Sequence, residues 1–146
     1  MRKAARAIII EGSKVLLMQR DKDGHRYFTL VGGSINDKET VEQALQREVK
    51  EETGLDVTKA RLVYFEEHPE PHNEQYIFLC EVAPHEEVAL QTTSEEAFMN
   101  KVDINIHTPV WIEKESFSRV PFRTIQLQEA LNEALKKGFP DKPVKL

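Results

Sequence analysis

Glu48, Glu51 and Glu52 crowd three carboxylates into five residues of the stretch GGSINDKETVEQALQREVKEETGL, positions 32–55. Clustered carboxylate oxygens with no His or Cys beside them suit hard cations, Mg2+ or Mn2+. Such ions keep part of their water shell and share the remaining positions with substrate phosphates. The surrounding pattern predicts a helix that opens at Thr40, where Gln43 completes a T-x-x-Q capping box, and closes at Gly54. At about 100° per residue, the three glutamates share a face with Val41 and Ala44, so an apolar stripe turns acidic halfway along. Carboxylates near a helix C-terminus oppose the macrodipole and repel one another, each costing on the order of a few tenths of a kcal/mol. A solvated acidic face would lie opposite the stripe, whereas this one continues it toward a sheet and would be partly desolvated. Arg47 can pair with Glu51 at i,i+4, but one guanidinium cannot neutralise three carboxylates, and a divalent cation can.

The elements that must hold this helix end are short and mostly extended. Residues 4–10 and 14–20 read as a hairpin through Glu11-Gly12-Ser13, and Tyr27–Val31 reads as a strand running into Gly32-Gly33. Two further strands are predicted at 60–67 and 75–82, on either side of the proline-broken loop HPEPHN, with another at Pro109–Ile112. A second helix over 124–137 carries Ile125, Leu127, Leu131 and Leu135 and stops at Gly138. Residues 138–146, rich in Lys and Pro, are expected to be a loose tail.

With 146 residues the natural expectation is one domain, spanning 1–146, with a core that needs no staples. The 20 basic and 25 acidic side chains give a net charge of −5, which argues against a broad basic surface for nucleic-acid polymers or anionic membranes. A single nucleotide in a metal-neutralised pocket remains compatible with it. Cys80 is the only cysteine and sits in the apolar run YIFLCEV, where a reduced core thiol is expected. No stretch has the length of a membrane span or of a signal-peptide core, so a cytoplasmic protein is expected.

Gly33, Glu39, Arg47-Glu48-Val49, Glu51-Glu52 and Gly54-Leu55 reproduce the Nudix box, G-x5-E-x7-R-E-U-x-E-E-x-G-U with U aliphatic, at every position. At ordinary residue frequencies a chance match is on the order of 10⁻⁹ to 10⁻¹⁰ per window. The chain therefore resembles the Nudix hydrolase family, the MutT-like nucleoside diphosphate-X pyrophosphohydrolases. The flanks LLMQR, FTLVGG and TPVWI are similar to the family's too. Val31 and Phe28 stand where many members have Pro and Trp, and Lys38 where Gly often stands, which touches loop shape rather than the motif.

The resemblance implies an α/β fold, an α/β/α sandwich with a mixed β-sheet between helices. It also implies Mg2+-dependent hydrolysis of a pyrophosphate bond in a small nucleotide-type substrate. Carried over by position, Glu48 and Glu52 would be the principal metal ligands and Glu51 a further one, with a backbone carbonyl from Gly32 or Gly33. Glu39 and Arg47 would be the ion pair that orients the loop-helix-loop. Arg20 is a candidate phosphate contact, weighed against an ordinary surface arginine, and the general base lies among Glu48, Glu95 and Glu96. Pro69 and Pro71 fall where ADP-ribose-cleaving relatives carry a proline, although HPEPHN is also a plain turn. Tyr27, Phe28 and Trp111 could stack on a base or lie in the core, and the five histidines show no metal-ligand spacing. The alternative of another class is a Nudix-fold module that binds a nucleotide without cutting it. Substrate identity and oligomeric state, a homodimer among the options, are not legible.

Overall fold

The computed structural model describes residues 2–67, 74–88 and 106–146. The strands are β1 Lys3–Glu11, β2 Lys14–Lys22, β3 His25–Thr29, β4 Val31–Ser34, β5 Val57–Glu67, β6 Glu74–Val82, β7 Ile106–Glu113 and β8 Val144–Lys145. Among the described residues the helices are α1 Val41–Thr53 and α2 Ile125–Lys137, and a 3-10 helix at Lys114–Arg119 precedes α2. The sheet runs β3-β2-β1-β6-β5-β8, with β4 added beside β1 and β7 beside β2. It is mixed, because β1–β6 and β5–β8 are parallel while the other pairs are antiparallel.

Alternation along β1 and β2 splits the core in two. Ala5, Ala7, Ile9, Leu16 and Met18 pack with Ala44, Leu45 and Val49 of α1. Ile8, Val15 and Leu17 face the other way, onto Phe117, Leu127 and Leu131. Both faces of β1 are thus covered, which is why it reads as a continuous apolar run rather than an alternating one. This is the α/β/α sandwich. Cys80 belongs to the α1-side core, where burial pushes its thiol up to about 12.

The expected strand Tyr27–Val31 is in fact two. The chain pairs with β2 as far as Thr29, then switches at Leu30 to pair with β1 from Val31 onward. Phe28 and Leu30 lie in the α2-side core and Val31 in the α1-side core. The crossover thereby delivers Gly32 and Gly33 from one half of the sheet to the foot of α1.

Residues 138–146, expected to be loose, are held. Val144 and Lys145 pair with Tyr64 and Phe65, the Leu146 amide donates to the Phe65 carbonyl, and Phe139 and Leu146 pack on the α2-side core. Two apolar side chains and one edge of β5 suffice to dock a stretch whose composition is otherwise polar. At its start, α2 is capped by Thr124, which accepts from the Leu127 amide, and the exposed Ile125 lies off its buried stripe.

Candidate active site

The helix α1 forms where its caps place it. Thr40 accepts from the Gln43 amide at 3.1 Å while the Gln43 side chain accepts from the Thr40 amide at 2.9 Å, and Gly54, left-handed at φ 79°, closes it. The face bearing Ala44 is buried, and it stays buried where the glutamates take over. Glu52 is 0% exposed and Glu48 7%, which excludes a solvated acidic patch. Glu51 sits at the rim, its side chain 35% exposed.

Each buried carboxylate meets one of the two glycines. Glu52 accepts from the Gly32 amide at 2.5 Å. The Glu48 carboxyl lies so close to Gly33 that an added Cβ would stand 2.7 Å from it. Gly32 has φ 134° and its would-be Cβ falls 2.0 Å from the Ala5 carbonyl oxygen, so β4 can approach β1 only with glycine there. The Gly32 carbonyl accepts from Arg6 Nη1 at 2.9 Å, and the same nitrogen reaches the Leu30 carbonyl at 3.4 Å. Arg6 therefore clamps the carbonyls on both sides of the peptide whose N–H grips Glu52. Sequence reading passed over Arg6; a lone charge within the apolar run AARAIII was the available signal.

Arg47 is shared among three acids, Glu39, Glu48 and Glu51. It donates to Glu39 at 2.6 and 2.9 Å, to Glu48 at 2.9 Å, to Glu51 at 3.5 Å and to the Ser34 carbonyl at 2.9 Å. The expected Glu39–Arg47 pair is therefore present and ties α1 to the preceding loop. These hydrogen bonds hold Arg47 protonated well above its ordinary range. The Arg47 guanidinium, aided by the Asn36 amide, lowers Glu39 from 4.5 to about 2. A carboxylate depressed in the folded state stabilises above its unfolded value and loses that contribution as the pH falls. Stability is thus expected to drop between about pH 4.5 and 2 through Glu39. Denaturation midpoints across that window should show a shallower decline for Glu39→Gln than for the parent chain.

The donor set fits a hard cation: carboxylate oxygens, one wholly buried, beside a glycine that leaves room for one of them. Among the described residues no three His, Cys, Asp or Glu side chains already converge on one point. The carboxylates are drawn to Arg47 and the Gly32 amide instead.

Arg20 lies on the α1 face of β2, two residues beyond Met18, and donates to Thr29 Oγ1 at 3.1 Å and to His107 Nε2 at 3.0 Å. Phe28 is in the α2-side core and Trp111 packs on the α1-side core, so core packing accounts for both. Tyr27 stays half-exposed beneath Arg123. Glu95, Glu96, Pro69 and Pro71 lie outside the described residues.

Residues 1–121 match the model of the NUDIX domain. The chain belongs to that family. It is 42% identical over 57 residues to the NAD-capped RNA hydrolase NudC of Vibrio atlanticus (strain LGP32), covering 39% of this chain and 20% of that protein. It is 40% identical over 62 residues to the 8-oxo-dGTP diphosphatase of Proteus vulgaris, covering 41% of this chain and 55% of that one. The chain thus spans only about a fifth to a half of the length of these curated relatives. The solution structure of the E. coli ORF135 protein superposes with a TM-score of 0.69 at 24% identity, covering 97% of this chain and 95% of that one, which shows the fold. Among the described residues no helix is long and apolar enough to cross a membrane.

Proposed function

We propose that this chain is a divalent-cation-dependent pyrophosphohydrolase acting on a nucleoside diphosphate linked to a further group. The observation that carries this is Glu52, a carboxylate with no exposure, gripped by the Gly32 amide beside a second buried carboxylate, Glu48. Glu48 and Glu52, with Glu51 at the rim, would hold Mg2+ or Mn2+. Such an ion, once bound, supplies charge neutralisation of the phosphate oxygens and acidifies water. The chain's own residues then orient the rest. Arg47 and Glu39 fix the helix against its loop, and Arg20 contacts a phosphate. A carboxylate takes the proton as the water oxygen bonds to phosphorus and the anhydride P–O bond breaks. Glu48 is the base candidate within the described residues, and Glu95 and Glu96 are its rivals by chain order.

The names of the relatives set the test set, because loop shape rather than the box decides the substrate. Purified protein would be offered nucleoside triphosphates, oxidised nucleotides, ADP-ribose, dinucleoside polyphosphates, nucleotide sugars and NAD-capped RNA, with Mg2+ and with EDTA. Release of phosphate, pyrophosphate or a nucleoside monophosphate that needs Mg2+ supports the reading. No cleavage of any of them, with nucleotide binding retained, would make the chain a binding module. Glu95→Gln and Glu96→Gln, singly and together, assign the base. Full activity in all three returns it to Glu48.

A further inference from the structure

Arg6 is the one charged side chain in the run Ala4–Ile9 of β1, and like the rest of that run it is buried. Alternation puts Arg6 on the face of Ile8, toward α2, and Ala5 and Ala7 on the opposite face, toward α1. Its guanidinium makes two kinds of contact there. Nη1 donates to the Leu30 and Gly32 carbonyls, at 3.4 and 2.9 Å, and Nε donates to Gln75 Oε1 of β6 at 3.0 Å. Gln75 stands two residues before Ile77 and so shares its α2-side face. Glu52 comes to the Gly32 amide from α1, which lies on the other side of the sheet.

Replacing a buried charged group by an apolar one of similar volume is often neutral or stabilising, so fold stability alone does not call for a guanidinium in β1. The segment it holds does. β4 is four residues long, pairs with β1 alone among the described residues, and contains two consecutive glycines, the residue type with the most backbone freedom. The peptide between Val31 and Gly32 is the one whose N–H meets Glu52, and the two carbonyls held by Arg6 flank it. Rotation of that peptide would carry the Gly32 amide away from Glu52 and release the carboxylate, and Arg6 opposes it. A carboxylate that must meet a cation in fixed geometry gains from a fixed partner, and the outer partners of metal ligands are worth about 10–100-fold in metal affinity.

We propose that Arg6 is a positioning residue of the cation site. By pinning the Leu30 and Gly32 carbonyls from the α2 side, it fixes the Gly32 amide and, through it, the direction in which the buried Glu52 carboxylate is presented. Gln75 aims the guanidinium. Both act through the backbone of β4 and not on the substrate. The proposal rests on the hydrolase reading above and adds to it a determinant of cation affinity that lies outside the Nudix box, on the face of the sheet turned away from α1.

Cation binding and backbone geometry can be read separately. Mn2+ is titrated into the parent chain and its variants, with the free ion measured by electron paramagnetic resonance. The Gly32 amide is followed in EDTA by proton–nitrogen correlation spectra of protein labelled at the glycine nitrogens, which carries only six such signals. Donating to a carboxylate at 2.5 Å, this amide should stand downfield, and loss of that position in Glu52→Gln identifies it. Arg6→Met, which keeps the length and loses the donors, should bind Mn2+ about ten-fold more weakly and move the Gly32 signal upfield. Arg6→Lys, which keeps one donor nitrogen, should restore part of both, and Gln75→Met should weaken Mn2+ binding about three-fold. A folded Arg6→Met with parental Mn2+ affinity and an unmoved Gly32 signal would overturn the proposal and leave Arg6 a structural residue. If Arg6→Met does not fold, Arg6→Lys and Gln75→Met decide, and parental values in both overturn it equally. An inactive Glu52→Gln alongside parental Mn2+ binding in Arg6→Met would leave the hydrolase reading standing without the proposal, whereas a parent chain that binds no Mn2+ would remove both.

Discussion

Glu52→Gln is expected to lower kcat by at least ~100-fold, and Glu48→Gln by a similar factor, because each removes a charge that would hold the cation. The two should differ in what else changes. Glu52 is wholly buried and its oxygen accepts from the Gly32 amide, a bond that the glutamine carbonyl can keep, so the neutral variant should fold normally. Glu48 is bonded to Arg47, so Glu48→Gln also leaves that guanidinium to Glu39 and Glu51. Glu51→Gln should be milder, since Glu51 stands at the rim and its bond to Arg47 is the longest of the set. Steady-state rates with saturating Mg2+ measure all three. Turnover near that of the parent chain in Glu52→Gln would remove the metal site assignment.

The adjacent glycines should fail in different ways. At Gly33 the three heavy atoms nearest an added methyl all belong to the carboxyl of Glu48, the far end of a flexible side chain, at 2.7–2.8 Å. Gly33→Ala should therefore fold while displacing Glu48, and kcat should fall by about ten-fold or more. At Gly32 the methyl would meet the Ala5 carbonyl at 2.0 Å in a backbone conformation at φ 134° that L side chains rarely adopt. Gly32→Ala should cost about 3 kcal/mol or more in stability, because backbone has to move. Melting curves and rates on the two proteins separate the cases. Equal stability of both would show that β4 and β1 do not approach as closely as described.

The motif was legible because a helix declares itself locally. The capping box, Gly54 and the three glutamates all lie within one stretch, and their shared face follows from helical geometry alone. The burial of Glu52 was foreseeable in kind, since its face continues that of Ala44. What compensates it was not. The sequence suggests mutual repulsion of three acids, whereas Arg47 gathers Glu48 and Glu51, and Glu52 accepts from a backbone amide.

Pairings between distant segments were illegible for a physical reason. Arg20 and His107 are 87 residues apart and meet only because β2 and β7 are neighbours. The switch at Leu30 hides inside an apolar run that both core halves accept. The polar opening of β5, Val57 to Lys59, is extended because β6 pairs with it across a bulge, and no local preference marks it. The docking of Val144 and Lys145 on β5 likewise depends on a neighbour, not on their own composition.

The central claim is that buried carboxylates at the end of α1 exist to hold a cation rather than the fold. Paired melts of the parent chain and Glu52→Gln, one in EDTA and one with Mg2+, test it without knowledge of the substrate. An ion that binds only the folded state at ten times its Kd adds about 1.4 kcal/mol, or about 3–6 °C in Tm for a chain of this size. The parent chain should gain that shift and Glu52→Gln should gain much less. In EDTA the variant should be as stable as the parent or more so, having lost a buried charge. A Glu52→Gln protein clearly less stable than the parent in EDTA, with no response of the parent to Mg2+, would show that this carboxylate holds the fold and would contradict the account.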